Sequence, residues 1–111
     1  MKIGHALLFT ADLDRLLAFY RDSVGLPLLW QGEGLAMLEG LMLHYAKPAW
    51  SDGSVREDTA WKPVFITADV PAARERLEQA GTRVRALNQY DDRLGFDAID
   101  PDGNVFRIAN K

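Results

Sequence analysis

The stretch HALLFTADL, residues 5–13, returns later in the chain as KPVFITADV, residues 62–70, with the triplet TAD unchanged. The aspartates of the two triplets, Asp12 and Asp69, are 57 positions apart. Each stretch has the alternation of a strand and then reaches an aspartate, a residue that commonly caps a helix. The spacing predicts a duplicated structural unit whose copies differ at their first position, histidine in one and lysine in the other.

A helix is predicted after each aspartate. After Asp12, Gly25 ends a segment whose apolar residues follow the i, i+3, i+4 spacing of one helix face: Leu13, Leu16, Leu17, Tyr20 and Val24. After Asp69, Pro71 fits the first turn and Gly81 closes a leaner helix. The apolar positions of this second helix are Ala73, Leu77 and Ala80.

Three short strands are predicted after each helix. They are PLLWQ, LAMLE and LMLHYA in the first copy, and TRVRAL, GFDAID and NVFRIA in the second. The pattern predicts an α+β fold of two βαβββ modules, about 1–46 and about 60–111, joined by a linker at about 47–59 within one domain, 1–111. Since one such module has too little apolar area to stand alone, we expect the two sheets to form a cup-shaped mixed sheet with the helices outside and a cleft between the modules.

The composition excludes several classes of protein. With 111 residues, 48% of them hydrophobic, the chain can bury one sizeable core. Thirteen basic and sixteen acidic residues, without a basic run, argue against a nucleic-acid partner. Because there is no cysteine, disulfides, thiolate zinc sites and cysteine nucleophiles are excluded. The apolar run nearest the N-terminus, residues 6–9, is shorter than a signal-peptide core and nothing approaches a membrane span, so we expect a cytoplasmic protein without membrane contact.

Two further runs carry a resemblance to a known family. They are LLAFYRDSVGLPLLW, residues 16–30, and DPDGNVFRI, residues 100–108. Together with the duplicated plan, they resemble the vicinal oxygen chelate superfamily, which includes glyoxalase I, extradiol dioxygenases, fosfomycin-modifying enzymes and bleomycin resistance proteins. The resemblance covers essentially the whole chain. It implies two modules in a cup-shaped sheet, with metal ligands at fixed strand positions in the metal-dependent members.

The resemblance also implies where metal ligands would fall in this chain. The ligand on the first strand corresponds to His5, which is retained. The histidine expected in the second module is replaced by Lys62, and the glutamate expected soon after DPDG is replaced by Arg107. The glutamate of the first module has Met42 or His44 as its nearest equivalent. Of the usual set of two histidines and one carboxylate, His5 alone remains.

These replacements favour a site without a metal. A divalent ion about 5 Å from a cation, at an effective dielectric constant of about 20, meets a repulsion on the order of 6 kcal/mol. Lys62 and Arg107 instead suit a carboxylate, a phosphate or another anionic group, which arginine can bind in bidentate fashion. No cofactor is therefore expected, with a divalent metal as the alternative. The pattern is most similar to the metal-free bleomycin-resistance branch, which implies a role in antibiotic resistance.

Aromatic residues extend the predicted site. Trp50 and Trp61 flank the polar linker, where buried structure is least expected, and with Trp30 they suit an aromatic wall for a flat ligand. The candidate ligand-binding residues are His5, Phe9, Trp30, Met42, His44, Trp50, Trp61, Lys62 and Arg107. Structural roles remain open for all of them. The histidines can be ordinary strand residues, the two cations can extend into solvent from strand ends, and the tryptophans can pack in the core or at a dimer interface.

Three functions remain open at this point. The first is a metal-free protein that binds a small aromatic or anionic molecule in the cleft, without a reaction. The second is a metal-dependent lyase, isomerase or dioxygenase that uses His5 as a ligand. The third is a subunit whose cleft serves only self-association. Because short exposed strands tend to be covered by another chain, we also expect a homodimer.

Overall fold

Each half of the chain forms a mixed β-sheet with a helix against one face. The computed structural model describes residues 1–48 and 52–111. The chain divides into two units, Met1–Gly53 and Ser54–Lys111. The predicted Trp50 site residue lies outside the described residues.

The first unit contains one helix and a four-stranded sheet. Its elements are β1 (Ala6–Thr10), α1 (Leu13–Ala18), β2 (Leu28–Gly32), β3 (Leu35–Leu38) and β4 (Leu41–Tyr45). The strand order in the sheet is β1-β4-β3-β2, with β1 parallel to β4 and the other neighbours antiparallel. The first and last strands of the unit are therefore adjacent.

The second unit repeats this topology. Its elements are β5 (Val64–Ile66), α2 (Val70–Gln79), β6 (Arg83–Val84), β7 (Asn88–Tyr90), β8 (Arg93–Ile99) and β9 (Val105–Ala109). The order is β5-β9-β8-β6, with β5 parallel to β9, and β7 also pairs with β8. The two short strands β6 and β7 thus take the place that β2 has in the first unit. The predicted α+β class and the repeated βαβββ order are confirmed.

The two aspartates cap their helices as predicted. The side chain of Asp12 accepts a hydrogen bond from the backbone N–H of Arg15, and that of Asp69 accepts one from Ala72, each at 3.1 Å. The two terminating glycines, Gly25 and Gly81, have φ angles of 90° and 85°. These left-handed conformations favour glycine, which explains why both helices stop where they do.

The first helix differs from the prediction in its second half. Residues Phe19–Val24 form a π-helix, and the N–H of Gly25 donates to the carbonyl of Tyr20 at 3.1 Å. Phe19 is buried against Tyr20, with ring centroids 5.0 Å apart and nearly perpendicular planes. The apolar stripe predicted for an α-helix, with 3.6 residues per turn, omits Phe19. The π-helix has wider turns, and these shift the buried face so that it includes Phe19.

The first strand is shorter than the alternation predicted. It begins at Ala6, whose N–H donates to the carbonyl of Gly40 at 3.0 Å, while Ile3 is 87% exposed. The reason is its partner: β4 begins at Leu41, directly after the turn at Gly40, so residues 1–5 precede the part of the chain that pairs with β4. His5 therefore precedes the strand on which it was predicted.

The second helix buries a slightly different set of residues from the one predicted. Ala73 and Leu77 are buried, as expected, but Ala80 is exposed because it lies at the C-cap. Val70, at the first helical position, is 1% exposed and joins the core with Phe96 and Phe106 of the sheet. Within the described residues, no helix combines the length and apolar character needed to cross a membrane.

The DPDG motif is a turn held by a buried carboxylate. The carboxylate of Asp100, 1% exposed, accepts hydrogen bonds at 2.9 Å from the backbone N–H groups of Asp102 and Asn104. The Asp100 carboxylate is satisfied in this buried position because it accepts hydrogen bonds from the turn's own N–H groups. The turn is thereby fixed between β8 and β9.

Part of the predicted linker packs on this turn. The N–H of Arg56 donates to the carbonyl of Gly103 at 2.9 Å, and Arg56 also bonds the side chain of Asn104. A Cβ atom on Gly103 would lie 2.1 Å from the carbonyl oxygen of Ser54, so this approach requires glycine. The segment predicted as a linker, 47–59, thus includes residues that belong to the second unit.

Candidate functional site

In the first unit, the sheet face opposite α1 carries several of the predicted site residues. Leu41 and Leu43 of β4 are 1% and 0% exposed and lie on the side of the sheet that faces α1. Because side chains alternate along a strand, Met42 and His44 lie on the other side. We call this other side the first open face.

The first open face is organised in two rows across the sheet, set by the strand register. One row contains Leu7, Met42, Met37 and Trp30, and the other contains Phe9, His44, Leu35 and Gly32. Residues opposite one another in register have their side chains on the same face. Four predicted site residues, Phe9, Trp30, Met42 and His44, are therefore brought together on this face.

Phe9 and His44 are in contact. Their ring centroids are 5.5 Å apart and their planes are inclined by 47°. Phe9 is 43% exposed and His44 is half-buried. The imidazole is thus a hydrogen-bonding group among apolar side chains, an arrangement that can orient a ligand with a single polar substituent.

His5 does not belong to this pair. It is exposed and lies outside β1, whereas His44 is opposite Phe9 in register. The structure therefore places His44, and not His5, beside Phe9 on the first open face.

In the second unit, three charged side chains meet on the face opposite α2. Lys62 Nζ lies 2.7 Å from Asp97 Oδ2, and Arg107 Nη1 lies 3.2 Å from Asp97 Oδ1. Asp97 and Arg107 are opposite each other in β8 and β9, and the Asp97 side chain is only 17% exposed. We call Lys62, Asp97 and Arg107 the charged trio, and its formal charge is +1.

Asp97 was not among the predicted site residues. GFDAID was predicted only as a strand, and Lys62 and Arg107 as two cations without a partner. A partial signal was present, because a hairpin closed by the DPDG turn pairs the strands on its two sides. Asp97 is opposite Arg107 because the observed register is centred on Asp102, five positions from each.

Gly95 provides the space for the Arg107 side chain. A Cβ atom at Gly95 would lie 2.9 Å from Arg107 Nη2 and 3.0 Å from Nε, closer than such contacts occur in proteins. It would also lie 2.9 Å from the carbonyl oxygen of Ile108. The guanidinium group therefore rests where other residues would have a side chain, with 32% of the Arg107 side chain exposed.

The tryptophans are distributed over both units. Trp30 is 47% exposed on the first open face. Trp61 is 81% exposed in the loop before β5, where its carbonyl accepts a hydrogen bond from Thr59 Oγ1 at 2.8 Å. Because the Trp61 indole is so exposed, it is suited to contact with another molecule. Trp30 is the tryptophan that the sheet places beside other candidate residues.

The described residues at the replaced ligand positions do not form a set of ligands for a divalent metal. Across residues 1–48 and 52–111, no group of three or more histidine, cysteine, aspartate or glutamate side chains could hold an ion. The carboxylate nearest the replaced ligand positions, Asp97, is already bonded to both cations. An ion there would meet the charges of Lys62 and Arg107, whose repulsion a single carboxylate does not offset.

Comparison with protein families agrees with this architecture. Residues 2–108 match the model of the glyoxalase/bleomycin resistance protein/dioxygenase superfamily. The chain therefore belongs to this superfamily. No curated protein matched the sequence.

Three solved structures show the same fold. A protein of unknown function from Agrobacterium tumefaciens is 24% identical, with a TM-score of 0.80, covering 98% of this chain and 93% of that one. The trypanothione-dependent glyoxalase I of Leishmania major is 21% identical, with a TM-score of 0.75 and coverages of 99% and 86%. A glyoxalase/bleomycin resistance protein from a Streptomyces species is 25% identical, with a TM-score of 0.69 and coverages of 94% and 97%.

Proposed function

We propose that this protein is a metal-free member of the superfamily that binds a small planar molecule with an anionic or carbonyl-rich end. The observation that carries the proposal is the charged trio. Lys62 and Arg107 stand where the resemblance implies metal ligands, and both are bonded to Asp97. A pre-formed set of hydrogen-bond donors with a net positive charge suits a ligand oxygen better than it suits a metal ion.

The first open face is by itself a surface that suits a planar molecule. Its row of Leu7, Met42, Met37 and Trp30 combines an indole with two flexible thioether side chains. Methionine adapts to irregular apolar shapes, and tryptophan stacks on flat rings. The half-buried His44 supplies a polar group beside this row. Such a surface is suited to aromatic or conjugated molecules.

Electrostatics narrows the class of ligand. Bleomycin-type drugs are cationic, and a net charge of +1 on the trio disfavours them. The proposed ligand therefore differs in charge from the drug that gives the bleomycin-resistance branch its name, although a role against another antibiotic is consistent with the site. No described contact favours the metal-dependent alternative. A cytoplasmic location and a homodimer belong with this proposal as further predictions.

Calorimetric titration with planar aromatic carboxylates and their uncharged amides tests the proposal. We expect binding of the carboxylates, weakened about tenfold or more by Trp30→Leu, because loss of one stacked aromatic contact typically costs on the order of 1–2 kcal/mol. Tyr90→Leu is the matched control, since Tyr90 is an 82% exposed aromatic residue outside the first open face. Failure of the whole panel to bind, or equal effects of the two substitutions, would refute the proposal.

A further inference from the structure

We propose that Asp97 and Gly95 position Arg107 so that its Nε and Nη2 atoms bind one planar oxyanion, and that the charged trio selects ligands with a single negative charge. The group that fits this chemistry is a carboxylate. The inference rests on the proposed function and adds to it the charge and geometry of the ligand's polar end. It also assigns roles to two residues that the sequence analysis did not consider.

The guanidinium group of Arg107 has more hydrogen-bond donors than its bond to Asp97 uses. Nη1 is bonded to Asp97, which fixes one end of the guanidinium group. Nε and Nη2 lie over Gly95, in the space that its missing side chain leaves open, and 32% of the Arg107 side chain is exposed. Within the described parts of the chain, the Arg107 side chain makes no other hydrogen bond. Two parallel N–H donors on a partly exposed, fixed guanidinium match the two oxygens of a carboxylate.

The net charge of the charged trio determines which ligand charge it can neutralise. Lys62 and Arg107 carry two positive charges and Asp97 one negative charge, so a monoanion neutralises the group. A ligand with two negative charges would bring the second charge close to the Asp97 carboxylate, which is mostly shielded from solvent. Asp97 thus has two effects: it orients Arg107, and it disfavours dianions such as phosphate monoesters.

Three probes with the same aromatic ring separate these effects. They are 1-naphthoate, 1-naphthyl phosphate and the uncharged 1-naphthalenemethanol, titrated calorimetrically into the full chain at constant ionic strength. At about pH 8 the phosphate monoester carries close to two charges. We expect the wild-type protein to bind 1-naphthoate about tenfold more tightly than either of the other probes, as expected for one added charge-assisted bidentate contact.

The variants address each residue separately. Asp97→Asn preserves the size of the side chain and raises the charge of the trio to +2, so the affinity for 1-naphthyl phosphate should rise about tenfold relative to 1-naphthoate. Arg107→Lys keeps the charge but removes the bidentate edge, so the preference for 1-naphthoate over 1-naphthalenemethanol should disappear. Gly95→Ala should also reduce the preference for 1-naphthoate over 1-naphthalenemethanol, because the added Cβ atom displaces the Arg107 guanidinium group. Arg83→Lys, a cation on β6 outside the trio, should change neither ratio.

The outcomes distinguish this inference from the proposed function. Equal binding of 1-naphthoate and 1-naphthalenemethanol by the wild type would overturn the inference and leave the proposed function in place. An unchanged ratio of phosphate to carboxylate affinity in a folded Asp97→Asn variant would overturn the charge selection. If none of the three probes binds the wild type, both the inference and the proposed function fail. Thermal unfolding of each variant establishes that it is folded before it is titrated.

Discussion

Asp97 on β8 and Arg107 on β9 are direct partners across the sheet, and their side chains form an ion pair at 3.2 Å. The second oxygen of the same carboxylate bonds Lys62 at 2.7 Å. Two residues that look like isolated cations in the sequence therefore share one counter-charge. In the second unit, the charged trio is therefore a group held by ion pairs, in which Asp97 neutralises part of the positive charge.

The glycines Gly103 and Gly81 provide a matched test of packing. Both have left-handed φ angles, 88° and 85°, but a Cβ atom would clash with Ser54 only at Gly103. Gly81→Ala should lower the free energy of unfolding by roughly 1–2 kcal/mol, the conformational cost alone. Gly103→Ala should lower it by about 3 kcal/mol or more, because overpacking adds about 1–3 kcal/mol. Urea denaturation measures both, and equal losses would contradict the predicted close approach.

Leu43 and Leu7 test the two faces of the first sheet. Leu43→Ala should lower the free energy of unfolding by about 2–5 kcal/mol, because this side chain is fully buried on the face that α1 covers. Leu7→Ala should cost about 0.5 kcal/mol, because Leu7 is 46% exposed on the first open face. The same denaturation measurement applies. A large loss from Leu7→Ala would show that this face is part of the core and would remove it from consideration as a ligand surface.

Metal binding is the sharpest test of the alternative function. Chelator-treated protein titrated with nickel, zinc, manganese and ferrous ions, the last without oxygen, should show no tight stoichiometric binding, because the replaced ligand positions carry cations bonded to Asp97. His5→Ala should then make no difference. Near-stoichiometric binding that is lost in His5→Ala would instead support a metal-dependent lyase, isomerase or dioxygenase.

The exposed strand β5 leads to a prediction about assembly. Val64 and Ile66 are 48% and 62% exposed, and among the described strands β5 pairs with β9 alone. An apolar strand with a free edge favours pairing with another chain. We therefore expect a homodimer in light scattering at micromolar concentration, weakened by Ile66→Lys. Leu87→Lys, at another exposed apolar residue, is the control, and a wild-type monomer at that concentration would contradict the prediction.

The duplicated pattern predicted most of the fold. The repeated pattern located both caps, Asp12 and Asp69, and both terminating glycines, because these features depend on residues close together in sequence. The π turn was not predicted, since its hydrogen bonds depend on how Phe19 and Tyr20 pack rather than on a distinct residue pattern. Local signals therefore established element order better than element geometry.

The candidate site was harder to predict from the sequence than the fold was, because the site depends on strand register. Alternation along β4 placed Met42 and His44 on one face, but only the pairing of β1 with β4 brings Phe9 to His44 and separates His5 from it. In the same way, Asp97 becomes relevant only when β8 is paired with β9. Residue types identify candidates, whereas the register decides which of them meet.

The parallel pairing of the first and last strands within each unit has a consequence for synthesis of the chain on the ribosome. β1 bonds to β4 and β5 bonds to β9, so the first strand of each unit has no partner until the last one has been made. Non-local pairing of this kind forms late in folding. Because β1 and β4 both lie in the first unit, this pair can form before β9, the partner of β5, has been translated. In the growing chain, the β5 edge stays unpaired until β9 emerges.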